Sequence, residues 1–170
     1  IIIVVIFKDG LIKTKADNDK IYYTQKHKSE EAANILSIVD KFKEELIKYL
    51  LIDYPNNRKI KKINKNIKIK EIPEKYNTHI AYTLNKNTLY ICLRKNKNNF
   101  EKNMNGLYFV VMHELAHVMS ITIGHTKEFW ENYKLILKTA IKHKLYNYKN
   151  YYTKPIRYCN KMINSTPYLK

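Results

Sequence analysis

Over residues 107–121 the chain is apolar at nearly every position, and before Ser120 the exceptions are His113, Glu114 and His117. A stretch of this length with no Pro or Gly favours a helix over a strand. A helix that is apolar nearly all round belongs inside a domain, with other elements packed on several of its sides. The rest of the sequence must therefore supply layers around a central helix. Two imidazoles and a carboxylate carried into that interior need partners, because unpaired buried polar groups are costly.

On a helix, His113 and His117 project from one face about one turn apart. That spacing lets two ring nitrogens reach a single ion at about 2.0–2.1 Å each. Glu114 lies about 100° further round. It is badly placed as a ligand and well placed to reach a water on the ion, which is the position of a general base. The chain's own His and Glu frequencies give roughly a 1% chance of this five-residue pattern arising somewhere by accident. The plain alternative is a pair of core histidines with satisfied hydrogen bonds. A catalytic zinc takes three protein ligands and a water. His125 follows eight residues after His117, just beyond Gly124. A helix that ends near Thr122 and turns back at Gly124 would return His125 to the ion. Glu128 and Glu131 compete for that role, and His125 would otherwise be an ordinary residue of the next helix. His27, His79 and His143 have no motif around them and read as surface or satisfied histidines.

The flanking pattern predicts the layers. Residues 29–51 read as a helix with Ser29 as cap, Glu30 and Glu31 in the first turn, and an apolar face of Ala32, Ile35, Leu36, Val39, Phe42, Leu46 and Leu50. Residues 14–28 are polar and read as a loop. Residues 80–84 and 88–94 are strand-like, with Asn85-Lys86-Asn87 as a tight turn, since Asn tolerates positive φ. Residues 66–72 alternate and predict a strand, and the basic run 58–70 reads as its solvated side. Residues 95–105 read as a loop. Thr126 caps a helix running to about residue 146, with Phe129 and Trp130 in its core-facing stripe. The tail from Asn147 reads as an irregular strap. The fold class expected is α+β, with a small mixed or antiparallel sheet packed on the motif helix and further helices around it. Residues 14–170 form a single domain on this reading, behind an apolar segment at 1–13.

Composition adds less than it promises. The 170 residues carry 32 Lys and Arg against 15 Asp and Glu, a formal charge of +17. Such a charge suggests nucleic acid or a membrane surface. Yet 29 Lys, 23 Ile, 19 Asn and 15 Tyr make up about half the chain. These residues share A/T-rich codons, and only Arg58, Arg94 and Arg157 offer the forked donor that phosphate and guanine sites favour. Nucleic-acid binding stays open, with residues 58–70 as its best support. Residues 1–7 are all apolar, too few to span a bilayer. They read either as a strand or as the end of a longer membrane anchor or signal. Cys92 and Cys159 either pair or remain buried thiols, with structural roles in both cases.

The segment from His113 to Trp130 resembles the minimal zincin metallopeptidases of the WLM and SprT-like groups. It has His-Glu-Leu-Ala-His, seven residues, His125, three residues, and Phe129-Trp130. Seven residues separate His117 from His125, where the WLM pattern has five. The chain is also similar to small candidate metallopeptidases of large nucleocytoplasmic DNA viruses, in Leu89-Tyr90-Ile91-Cys92-Leu93-Arg94, in Gly124-His125-Thr126 and in Lys154-Pro155-Ile156-Arg157-Tyr158-Cys159. That covers residues 80–169. The resemblance implies a zincin fold, Zn2+ held by His113, His117 and His125, and Glu114 as general base in hydrolysis of a protein or peptide. It further implies a substrate laid along strand 88–94 as a sheet edge. A non-catalytic zinc-binding interaction module is the alternative, and SprT-like and WLM relatives are linked to DNA-crosslinked protein substrates.

Overall fold

The computed structural model describes residues 9–64, 66–76 and 78–167. The apolar run 1–7 lies outside the described residues. Among the described residues the architecture is mixed α+β, with four helices and small sheets. No helix among the described residues is long and apolar enough to cross a membrane.

At the centre stands α3 (Met104–Met119), the helix that carries the His-Glu pattern. Its Asn103 cap accepts a hydrogen bond from the Gly106 N–H at 2.9 Å. It starts three residues before the expected run and stops two residues earlier. Around it pack α1 (Ser29–Asp53), α2 (Arg58–Ile63), α4 (Lys127–Lys142) and a three-stranded sheet. The sheet holds β3 (Lys68–Glu71), β4 (Ala81–Leu84) and β5 (Thr88–Ile91) in the order β3-β5-β4. β3 runs parallel to β5, and β4 runs antiparallel to it. The sheet is therefore mixed. The turn between β4 and β5 has Asn85 and Lys86 both at φ 53°, as a tight hairpin of right-handed twist requires.

The topology corrects one expectation directly. Strand 88–94 is not an edge: β5 is the central strand, flanked on both sides. Its four residues are all buried, as suits a strand covered on both faces. The edge next to α3 is β4.

Other expectations change for local reasons. Residues 14–28 are not simply a loop. They contribute to a hairpin of β1 (Ile12–Lys15) and β2 (Ile21–Thr24). Its inward positions include Thr14 and Thr24, whose hydroxyls bond each other at 2.9 Å, so the inner face carries little apolar signal. Ser29 is not the cap of α1. That place falls to Lys28 at φ 48°, with no side-chain cap. The basic run divides in two. Asn57 caps α2 by accepting from the N–H groups of Lys59 and Ile60, and Ile60 and Ile63 point inward at helical spacing. Only its second half is strand. Residues 95–105 contain a short hairpin of β6 (Arg94–Asn96) and β7 (Asn99–Phe100). α4 ends at Lys142 rather than near 146, and the tail forms a hairpin of β8 (Ile156–Tyr158) and β9 (Lys161–Ile163).

Two fastenings hold the sheet to its surroundings. Glu71 and Arg94 form a buried pair, Arg94 Nε donating to Oε2 at 2.9 Å and Nη2 to Oε1 at 2.8 Å. The Gln25 N–H donates to the same carboxylate at 2.7 Å, and Arg94 Nη1 donates to the His27 carbonyl at 2.6 Å. Removing one partner leaves a buried charge uncompensated. Glu71→Ala is therefore expected to cost about 3–5 kcal/mol in urea unfolding; a loss below about 1 kcal/mol would show that the pair is not needed.

The second fastening is a disulfide between Cys92, just past β5, and Cys159, in the turn between β8 and β9. It closes a sequence separation of 67 residues. Constraining the unfolded chain over that length is worth about 4 kcal/mol on the chain-entropy account. Reduction, or Cys159→Ser, is expected to lower the thermal midpoint by roughly 10 °C. An unchanged midpoint after confirmed reduction would count against this.

Candidate metal centre

α3 places His113 and His117 on one side, as the four-residue spacing requires, and both are half-buried. The chain then leaves the helix at Ser120 and crosses a short loop to α4. Gly124 sits in that loop at φ 87°, a conformation that favours glycine. It does not cap α3, which ends five residues earlier at Met119. Thr126 does cap α4, its hydroxyl accepting from the Phe129 N–H at 3.3 Å.

This path returns His125 to the other two. Nε2 of His113 stands 3.2 Å from Nε2 of His117 and 3.1 Å from Nε2 of His125. Two nitrogens each about 2.0–2.1 Å from a tetrahedral ion are about 3.3–3.4 Å apart. The three ligand atoms lie within 4.8 Å of one another, so this group could hold a metal ion. The ring of Phe129, fully buried, contacts all three imidazoles at centroid distances of 4.9, 4.4 and 4.8 Å. It is a core residue, as its helical position suggested, and also the floor on which the three rings stand.

The competing carboxylates are engaged elsewhere. Glu128 Oε1 accepts from the N–H groups of Ile121 and Thr122, both at 2.9 Å, and from the Thr122 hydroxyl at 2.8 Å. Its Oε2 pairs with Lys59 at 2.9 Å. The Thr122 N–H, Lys59 and the Thr122 hydroxyl hold this carboxyl down at about 2. Glu128 thus organises the loop that delivers His125. Glu131 is exposed and faces Lys127 at 4.0 Å. Of the remaining histidines, His143 pairs with Asp53 at 2.8 Å, His27 bonds Asn98, and His79 packs against Tyr82.

Glu114 is buried on the side of α3 facing β4. Thr83 lies opposite Leu89 in the hairpin register and points inward with it. Its hydroxyl donates to Glu114 Oε2 at 2.5 Å. Burial raises the Glu114 carboxyl to about 7, against the opposing pull of Thr83. Lys86, at the hairpin turn, donates to the Ser120 carbonyl and reaches that of Thr122 at 3.5 Å. Thr83 and Lys86 went unnoticed in the sequence. Residues 80–84 are apolar but for Thr83, so no alternation marks it as inward-facing, and nothing local marks Lys86.

Burial, then His117 and His125, push His113 down to about 3. Burial, His125 and Lys86 bring His117 down to about 4. Both rings are neutral at neutral pH, the form that binds a cation. These folded values lie below the unfolded value of about 6.5, so the unfolded chain takes up protons first and stability present above about 6.5 is lost as pH falls. Chelator-treated protein is expected to unfold at lower urea at pH 5 than at pH 7, with the difference reduced in His113→Asn/His117→Asn. Equal differences in the two proteins would contradict it.

No protein-family model matches the chain, and no solved structure matches it. Three curated viral proteins are similar. An uncharacterized protein of Acanthamoeba polyphaga mimivirus is 27% identical over 169 residues, covering 90% of this chain and 81% of that protein. An uncharacterized protein of Invertebrate iridescent virus 3 is 38% identical over 97 residues, 56% of this chain and 55% of the relative. One of Invertebrate iridescent virus 6 is 33% identical over 94 residues, 54% of this chain and 48% of the relative. The chain thus spans about half the length of the two iridescent-virus proteins.

Proposed function

We propose that this chain is a zinc-dependent peptidase of the minimal zincin type, resembling the WLM and SprT-like groups. The observation that carries the reading is the convergence of His113, His117 and His125 Nε2 atoms beside a buried Glu114. Three imidazoles suit Zn2+, and the set leaves a coordination position free for water or substrate. Zinc bound there supplies a Lewis acid and makes its water more acidic.

The chain's own residues supply the rest. Thr83 occupies Oε2 of Glu114 and leaves Oε1 to accept a proton from the attacking water. The same carboxyl then returns the proton to the departing amine nitrogen, as general acid. A carboxyl poised near neutrality suits both roles. The free side of β4, next to α3, is where an extended peptide would add as a further strand.

The test is bound-zinc measurement together with cleavage of unfolded protein substrates by wild type and Glu114→Gln. Zinc-loaded wild type without Glu114-dependent hydrolysis would end the peptidase reading and favour a non-catalytic zinc module.

A further inference from the structure

The loop from Ile121 to His125 is exposed along its whole length. Ile121 is 73% exposed and Ile123 91% exposed, so burial of its own side chains does not hold it. It nevertheless carries the third imidazole. Fixing such a loop in one conformation costs entropy that some contact must offset.

The contacts that hold it are polar and come from outside the loop. On one side stands Glu128, in the first turn of α4. Its Oε1 accepts from the Ile121 and Thr122 N–H groups and from the Thr122 hydroxyl. Lys59 of α2 holds its Oε2 at 2.9 Å. On the other side stands Lys86, in the turn between β4 and β5. It donates to the Ser120 carbonyl and reaches that of Thr122. Thr122 is thus gripped by its N–H, its hydroxyl and its carbonyl, three residues before His125.

We propose that Glu128, Lys59 and Lys86 are positioning residues that set His125 in place as the third metal ligand. The inference rests on the zinc reading above and adds three side chains to that centre. The contacts are charge-assisted, carboxylate on N–H groups and ammonium on carbonyls, and such bonds are the strong ones. A partly exposed pair such as Lys59–Glu128 is worth little alone. Here it orients a carboxylate whose other oxygen holds the backbone. The same contacts separate Glu128 from the ligands. Both its oxygens are occupied, so binding the ion itself would release the loop. Origin matters as well. His113 and His117 are brought together by α3 alone. The place of His125 depends on α2, α4 and the β4–β5 turn, so it is set by tertiary packing.

The experiment measures zinc affinity against a competing chelator, and the visible spectrum with Co2+ in place of zinc. It uses the full chain as wild type, His125→Ala, Glu128→Ala, Lys59→Met, Lys86→Met and Lys86→Arg, together with the His125→Ala/Glu128→Ala double variant. Glu128→Ala is expected to weaken zinc binding by about 10–100-fold, the usual cost of removing a group that orients a ligand. Its Co2+ spectrum should move to that of His125→Ala. Lys59→Met and Lys86→Met should each lose affinity in the same direction, and Lys86→Arg should recover it. Neither lysine is buried, so these variants report even where Glu128→Ala fails to fold. If Glu128 acts through His125, its substitution adds no further loss to His125→Ala. Additive losses, or unchanged affinity in Glu128→Ala and both Met variants, overturn the proposal while sparing the zinc reading. A wild-type chain that binds neither zinc nor Co2+ overturns both.

Discussion

Glu114→Gln is expected to lower peptide hydrolysis by about 10²–10⁴-fold, the usual contribution of a positioned general acid and base. Zinc content should stay near that of wild type. The substitution keeps size and an acceptor for the Thr83 hydroxyl while removing the group that takes a proton. It leaves Nε2 of His113, His117 and His125 untouched. The informative comparison is therefore rate against bound metal in the same sample. A variant with full zinc and full activity would remove Glu114 from the chemistry. A variant that also loses its zinc would show that Glu114 supports the centre instead.

His113→Ala is expected to have the largest effect on metal. His113 is the residue whose Nε2 approaches both others, at 3.2 and 3.1 Å. Loss of one imidazole from such a centre should weaken zinc binding by about 10²–10³-fold, taking roughly a quarter of the free energy of a four-ligand zinc site. Bound zinc after gel filtration should fall from near one per chain to near none, with hydrolysis falling in parallel. His143→Ala provides the contrast. That ring stacks on Tyr49 and pairs with Asp53, so its loss should leave zinc content unchanged. Retention of one zinc by His113→Ala, or equal loss by His143→Ala, would place the metal elsewhere.

The central helix was legible because residues 107–121 have almost no polar position, so period, length and burial all agree. The α3–α4 approach was legible because Gly124, His125 and Thr126 mark a turn and a cap within three residues. The β1–β2 hairpin was hidden, since its inner face is closed by a Thr14–Thr24 hydrogen bond rather than by an apolar stripe. The central place of β5 was hidden too, because strand order depends on β3 joining from 20 residues upstream, a tertiary choice that no local pattern encodes. Glu128 was visible only as an acid near a histidine. Its role comes from three donors in the preceding loop and from Lys59, all brought together by the turn after α3.

The three imidazoles lie within 13 residues of chain, whereas Cys92 and Cys159 are separated by 67. Closing a short loop costs less entropy than closing a long one, and local contacts form sooner. The helical pair His113 and His117 can therefore assemble before the tail is tied to the sheet. On the zinc reading proposed above, gathering the metal group does not depend on the disulfide being formed. A chain held under reducing conditions would keep its three imidazoles within one short stretch, while its β8–β9 hairpin was left unfastened from the strand that ends at Cys92.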